Sequence, residues 1–278
     1  MSTPSSRLVY NSRRLAQTPR TFANWPAVLR QLAGQALHRE EPALTFDVRS
    51  GPLLTTPNVP GARLPIYEQF ADDCYHIDWV LGPAGEPCTV IDIGSHVGAF
   101  ATNIASRRAD VRVECYEPSP ASAGFLRSNI ERNGLADRMR VHQQAVAGEV
   151  GTAVLDDNDE GSVHNGLVRD GERLVHGDDA PGRRHGITVE TTTFDAAVAA
   201  APGPVTVVKM DCEGGEYELV RASSPQSWAT VRRVVMEYHP VPGETWAALR
   251  DWLAGVGLAV VRDEPGRPGL GTAWLQRQ

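Results

Sequence analysis

From Cys88 to the end of the chain, short apolar runs rich in β-branched residues alternate with stretches of helical periodicity, and this alternation leaves few folds open. Cys88–Ile93, Val111–Tyr116, Val205–Met210 and Val231–Tyr238 read as strands, and Val97–Arg107, Pro120–Asn133, Thr193–Ala200 and Thr245–Ala254 as helices. Met139–Val146, Ala153–Leu155 and Ile187–Glu190 add strand-like runs, and a helical turn is expected near Tyr217–Ala222. Leu258–Arg262 and Thr272–Leu275 can close as an antiparallel hairpin. Strand–helix repeats need crossover connections, so the sheet is expected to be mostly parallel with helices on both faces, a doubly wound α/β domain.

Residues 1–87 read as an N-terminal cap or extension, and 88–278 as the main domain. Trp25–Leu37 has helical spacing. Pro52, Pro57, Pro60 and Pro65 predict an irregular or edge-type segment over 50–65, and Ile66–Leu81 one or two short helices ending at Gly82-Pro83. Residues 156–186 are rich in Asp, Gly, His and Arg and read as a loop insertion. There His164, Asn165, His176 and His185 either face an acceptor from a lid or belong to a polar loop without a role.

The 278 residues suit one elaborated domain, and the net charge of −7 opposes binding to nucleic acid or an anionic membrane surface. No apolar run approaches the roughly 20 residues that span a bilayer, and residues 1–20 lack the apolar core of a secretory signal. Cys74, Cys88, Cys115 and Cys212 are scattered without a C-x-x-C pair, so a reducing cytoplasm is expected. Of the 27 basic residues 26 are Arg, and Lys209 is the one lysine. Its neighbours Val208 and Met210 exclude a P-loop, and Val205 stands where a Tyr-x-x-x-Lys dehydrogenase pair needs tyrosine.

Val90-Ile-Asp-Ile-Gly-Ser-His-Val-Gly98 is a strand running directly into a helix. Gly94 suits the sharp turn and Gly98 the close approach of the helix, at the carboxyl end of a first strand where such sheets bind ligands. A carboxylate at Asp92 repels a pyrophosphate but suits the cationic sulfonium amino acid of S-adenosylmethionine, and the spacing G-x-x-x-G departs from the dinucleotide G-x-G-x-x-G. Glu117 ends the next strand, 23 positions after Gly94, either to accept ribose hydroxyls or as a solvated strand-end acid. His96 is either a ligand contact or a partly buried histidine at a helix start. Ser95, Pro118, Gln144 and Asp211 complete the expected cofactor-binding set.

Asp92-Ile-Gly-Ser-His-Val-Gly98, Tyr116-Glu-Pro118, Asn129-x-x-x-Asn133-Gly-Leu135, Lys209-Met-Asp-Cys-Glu-Gly-Gly-Glu216 and Val234-Val-Met-Glu-Tyr-His239, taken in order, resemble the FkbM family of methyltransferases. The chain departs from the family's usual wording at Ser95, His96, Cys212 and Gly215. The resemblance spans residues 88–262. It implies a class I, Rossmann-like, seven-stranded fold that uses S-adenosylmethionine, commonly on hydroxyls of small molecules or glycans.

Strand alternation puts Lys209, Asp211 and Glu213 on one side of the fourth strand's end, with Glu237 and His239 on its neighbour. The expected catalytic roles are proton acceptance by His239, whose ordinary pKa is about 6.5, and orientation of the acceptor by Asp211, Glu213 and Glu237, which are also candidate ligands for a Mg²⁺ ion. Lys209 offers a compact ammonium. Structural roles stand beside these: a Lys209–Asp211 ion pair, a helix N-terminal carboxylate at Glu213, and a satisfied loop histidine at His239. The expected activity is O-methylation of a small-molecule hydroxyl, on a natural product or sugar. Transfer to nitrogen or carbon, a nicotinamide oxidoreductase, and a non-catalytic nucleoside-binding module are the alternatives.

Overall fold

The computed structural model describes residues 4–35, 41–49, 51–86, 88–158, 166–169, 172–173 and 184–278. The large sheet has seven strands: β3 (Cys88–Ile93), β4 (Val111–Tyr116), β5 (Met139–His142), β11 (Val207–Met210), β12 (Arg233–Tyr238), β13 (Leu258–Pro265) and β14 (Gly271–Arg277). Their order is β13-β14-β12-β11-β3-β4-β5. Neighbours from β5 through β12 are parallel, and β14 runs antiparallel to both β12 and β13. The seven-stranded, mostly parallel sheet with a C-terminal antiparallel hairpin is the arrangement expected. All six residues of β3 are buried, as a central strand covered on both faces requires.

Alternation along these strands divides the core. Ile91, Ile93, Val208, Met210, Val234 and Met236 pack beneath α7 (Phe194–Ala200), α8 (Glu216–Ala222) and α9 (Trp246–Gly255). Val90, Val113, Val207 and Val235 face α4 (Ile77–Leu81), α5 (Ala99–Arg107) and α6 (Pro120–Arg132). Ser119 caps α6 by accepting a hydrogen bond from Ser122 N, Pro120 opens its first turn, and Gly134, in the left-handed region at φ +64°, follows its last residues.

The N-terminal segment contains α1 (Pro4–Thr21), α2 (Trp25–Gln35), the hairpin β1 (Ala43–Asp47) with β2 (Leu53–Pro57), and α3 (Pro60–Tyr67). The proline-rich stretch over 50–65 is therefore more regular than expected. Pro52, Pro57 and Pro60 sit at element ends while Pro65 lies inside α3, and the edge of β2 facing away from β1 is held by side chains rather than by a strand. Asn133 Oδ1 accepts from Leu53 N at 2.8 Å, and Asn129 Oδ1 accepts from Thr55 N at 2.8 Å. Pro57, next in that alternation, has no N–H to place on that edge.

The expected loop over 156–186 is also corrected in part. β6 (Ala145–Ala147), β7 (Gly151–Asn158), β8 (Gly166–Arg169), β9 (Glu172–Arg173) and β10 (Arg184–Thr193) form a second sheet in the order β6-β10-β7-β8-β9. Ala153, Leu155, Leu167, Ile187 and Val189 give it one apolar face, which the polar residues between them mask in the sequence. His164, Asn165 and His176 lie outside the described residues; His185 falls in β10, where only the backbone is described.

Candidate active site

β3 leaves the sheet at Gly94, whose φ is +75°. A Cβ there would stand 1.8 Å from the Asp211 carbonyl oxygen, so the turn closes against β11 only with glycine. Gly94 N and Ser95 N both donate to Tyr116 O, at 3.0 and 3.1 Å. Gly98, at φ +85°, starts α5 where a Cβ would meet Leu126 at 2.4 Å.

The one lysine staples this turn from inside the sheet. Lys209 Nζ donates to Gly94 O at 2.7 Å and Ile93 O at 3.3 Å. It lies 3.3 Å from Asp92 Oδ1 and 3.9 Å from Asp211 Oδ2. Burial alone would lower its pKa, but Asp92, Asp211 and Glu237 outweigh burial and hold the ammonium protonated. Asp92 is correspondingly fully buried behind the turn and does not line the cavity in front of it. The expectation that its charge faces the sulfonium is corrected: register pairs Asp92 with Lys209, and the two charges answer each other. Ser95 and Gly98 also lie off the cavity wall, Ser95 Oγ donating to Asp92 O at 2.8 Å.

In front of the turn is an open cavity over the carboxyl ends of β3, β4 and β11. Gly94, His96, Glu117, Pro118, Gln144, Asp211 and Glu213 line it, as does an apolar side built from Tyr116, Val146, Leu155 and Leu167. Glu117 accepts from His96 N at 2.8 Å and Ser119 N at 2.9 Å, and burial pushes its pKa up to about 7. Burial and the nearby Lys209 charge take His96 down to about 4, so its ring is neutral. Gln144 Nε2 donates to Glu190 Oε2 at 3.3 Å. A carboxylate at Glu117 and an apolar side are the chemistry that a ribose and an adenine call for, and Asp211 and Glu213 line the same cavity.

The reaction end brings together Asp211, Glu213, Glu237 and His239. His239 Nδ1 is 3.1 Å from Glu216 Oε1, and its Nε2 is 3.6 Å from Glu213 Oε2 and 4.0 Å from Asp211 Oδ1. Burial opposes the charged ring, but Glu216, Glu213 and Asp211 prevail and push its pKa up to about 10. Carboxylates on both sides of the ring thus favour its charged form, which donates protons at both nitrogens. Glu216, not Glu213, is the helix N-terminal carboxylate, its Oε1 accepting from Cys212 N at 3.1 Å and Gly214 N at 3.3 Å. Burial and then the charge of Asp211 raise Glu237 to about 8. Asp211, Glu237 and His239 each offer an atom within 4.8 Å of the others, whereas the expected third metal ligand, Glu213, turns toward His239.

Sequence reasoning missed Pro65, Leu155, Leu167 and Tyr75. Tyr75 Oη donates to Glu237 Oε1 at 2.7 Å and to Asp211 Oδ2 at 3.4 Å. No motif contains Tyr75; only the fold carries it to these strands.

A methyltransferase from Beauveria bassiana (strain ARSEF 2860), "Methyltransferase 1", is 21% identical over 220 residues, covering 74% of this chain and 86% of that protein. Among solved structures, the METTL16 methyltransferase domain is similar at 13% identity and a TM-score of 0.44, covering 74% of this chain; this chain spans 66% of that one, a little under two thirds. Magnesium protoporphyrin IX methyltransferase (ChlM) from Synechocystis PCC 6803, solved with bound SAM, is similar at 13% identity and a TM-score of 0.41, covering 77% of this chain and 80% of that one. The FkbM methyltransferase domain matches residues 92–258, more than half of the chain. With that match the chain belongs to the FkbM methyltransferase family and is an S-adenosylmethionine-dependent methyltransferase.

Proposed function

We propose that the protein methylates a hydroxyl oxygen of a small molecule, a natural product or a sugar. The observation that carries this reading is a half-buried, carboxylate-rich reaction end that shares Asp211 and Glu213 with the cofactor cavity. Glu117, Gln144 and the Gly94 turn would hold S-adenosylmethionine, and the apolar wall its adenine. Bound there, the cofactor supplies an electrophilic methyl group on a sulfonium. A neutral hydroxyl is a poor nucleophile, so a carboxylate that holds it and receives its proton favours transfer to oxygen. Net charge of −7 argues against a nucleic-acid acceptor. Among the described residues no helix is long and apolar enough to cross a membrane, and four free thiols suit a reducing cytoplasm.

Calorimetry with S-adenosylhomocysteine and with NAD, followed by methyl incorporation from labelled S-adenosylmethionine across polyols, sugars, phenols and amines, tests the proposal. Binding of the first ligand and labelling of hydroxyls is the expected result. Labelling of amines alone would move the activity to nitrogen, because the same carboxylates can hold an ammonium. Binding of NAD in place of S-adenosylhomocysteine would overturn both.

A further inference from the structure

The reaction end is completed from outside the segment that the family match covers. Tyr75 lies in the turn between a one-turn π-helix at 68–72 and α4. Asp73 and His76 on either side of it are non-glycine residues in left-handed backbone, at φ 49° and 54°, a conformation such residues avoid unless the surroundings impose it. The surroundings are specific. Cys74 N donates to Glu68 O at 3.0 Å, Ile77 N to Asp73 Oδ1 at 3.0 Å, and Trp274 Nε1 to Tyr75 O at 2.9 Å. The Tyr75 ring meets Phe100 edge-on at 5.7 Å. This turn delivers one buried hydroxyl to two carboxylates, with the shorter bond to Glu237.

We propose that Tyr75 is a positioning residue that fixes Glu237 as the group receiving the acceptor's proton. The inference rests on the hydroxyl reading above. His239 is committed through Nδ1 to Glu216 and flanked by two further carboxylates. Glu237 instead has Oε1 fixed by Tyr75, and among the described residues its Oε2 takes no hydrogen bond. Burial and the charges of Glu237 and Asp211 hold the Tyr75 phenol well above its ordinary pKa, so it remains a donor. The acceptor oxygen forms its bond to the methyl carbon while the carbon–sulfur bond breaks with its electron pair left on sulfur, and the hydroxyl proton passes to Glu237 in its ionised form, which with a pKa of about 8 is the minor form at neutral pH and the major one above pH 8.

The test compares Tyr75→Phe with the unaltered protein in crystals containing S-adenosylhomocysteine, and in turnover on whichever hydroxyl acceptor the labelling panel yields. Glu237 is expected to swing away from Asp211 in Y75F with the cofactor unmoved. Turnover is expected to fall about tenfold or more, within the range that general bases contribute, while KM for S-adenosylmethionine stays within about twofold. In a Glu237→Gln background Y75F should cost nothing further, which a merely structural tyrosine would not reproduce. An unmoved Glu237 overturns the proposal, as does full turnover in Y75F or a loss that adds to that of E237Q. Should Y75F not fold, E237Q decides: retained affinity for S-adenosylhomocysteine with turnover lost supports the assignment, and retained turnover overturns it. Labelling of amines alone would refute transfer to oxygen, while the position of Glu237 in the Y75F crystals would still decide the role of Tyr75.

Discussion

Replacing Asn129 tests how the N-terminal hairpin is attached to the cofactor turn. Residues i and i+4 of a helix advance about 6 Å, and residues i and i+2 of a strand about 6.6 Å, so Asn129 on α6 and Asn133 at its C-cap can address alternate residues of β2. Each carboxamide acts as a substitute strand. Asn129 accepts from Thr55 N at 2.8 Å and donates to Thr55 O and Val97 O, both at 2.9 Å. Asn133 accepts from Leu53 N and donates to Leu53 O, both at 2.8 Å. Asn129→Ala removes three hydrogen bonds worth about 1 kcal/mol each and strands the buried Val97 carbonyl, for a loss of about 3–5 kcal/mol. In a chain of this size that lowers the thermal midpoint by about 10 °C. Asn133 is half-buried, and water can replace its bonds, so Asn133→Ala should cost only about 1–2 kcal/mol. Asn129→Asp is the sharper variant: it keeps the bond from Thr55 N but turns lone pairs toward two carbonyls, and should exceed Asn129→Ala. Because Val97 belongs to the cofactor turn, affinity for S-adenosylhomocysteine should fall as well. Urea unfolding and calorimetry measure both. A loss under about 0.5 kcal/mol for Asn129→Ala, the size of an ordinary surface substitution, would refute the reasoning, as would a milder effect for Asn129→Asp.

Three further outcomes follow from the site. Lys209→Met leaves Asp92 fully buried without its counter-charge and should destabilise by about 3–5 kcal/mol, with part of the loss restored by adding Asp92→Asn; denaturant midpoints that match the unaltered protein would dismiss the ion pair. Gly94→Ala forces a Cβ to 1.8 Å from the Asp211 carbonyl in left-handed backbone, so calorimetry should show S-adenosylhomocysteine binding abolished, and retained affinity would contradict the close approach. The folded pKa of His239, about 10, lies above its ordinary 6.5, so its stabilisation is complete below pH 6.5 and is lost as pH rises through about 10. His239→Gln should therefore destabilise more at low pH than at high pH within that window, and equal losses at both ends would show that the carboxylates around it do not hold the proton.

The parts of the fold legible in the sequence are those whose burial is nearly continuous. β3, β4, β11 and β12 are central strands, and their apolar runs identify them without reference to neighbours. β7, β8 and β10 were not legible along their whole length because only one face is apolar and the residues between Leu155 and Ile187 are mostly polar. β2 was hidden for another reason: its outer edge is satisfied by two asparagines from α6, so prolines around it do not stop the strand. At the site, the single lysine marked the right place but not its main partner, since the pairing of Lys209 with Asp92 is set by the β3–β11 register and not by local spacing. Tyr75 could not be found this way, because its partners lie 136 and 162 positions away.

Backbone strain adds a further cause at the turns of the site. Among the described residues, the non-glycine residues with positive φ are Asp73, His76, His96 and Glu213. The first two flank Tyr75, and the last two line the cofactor cavity. Local preference would place glycine or asparagine at each of them, so a reading based on propensity gives such positions the wrong conformation. Contacts made only after the sheet has formed hold two of these turns, the Glu117 carboxylate on His96 N and the Trp274 indole on Tyr75 O, and the Asp73 carboxylate adds a local bond to Ile77 N. The sheet is specified by strands that read the same in isolation as in the fold. The chemistry is specified by turns that hold their shape only against that sheet, and for this reason the family's motifs locate the site while the geometry of Tyr75, Glu216 and Asp92 had to come from the structure.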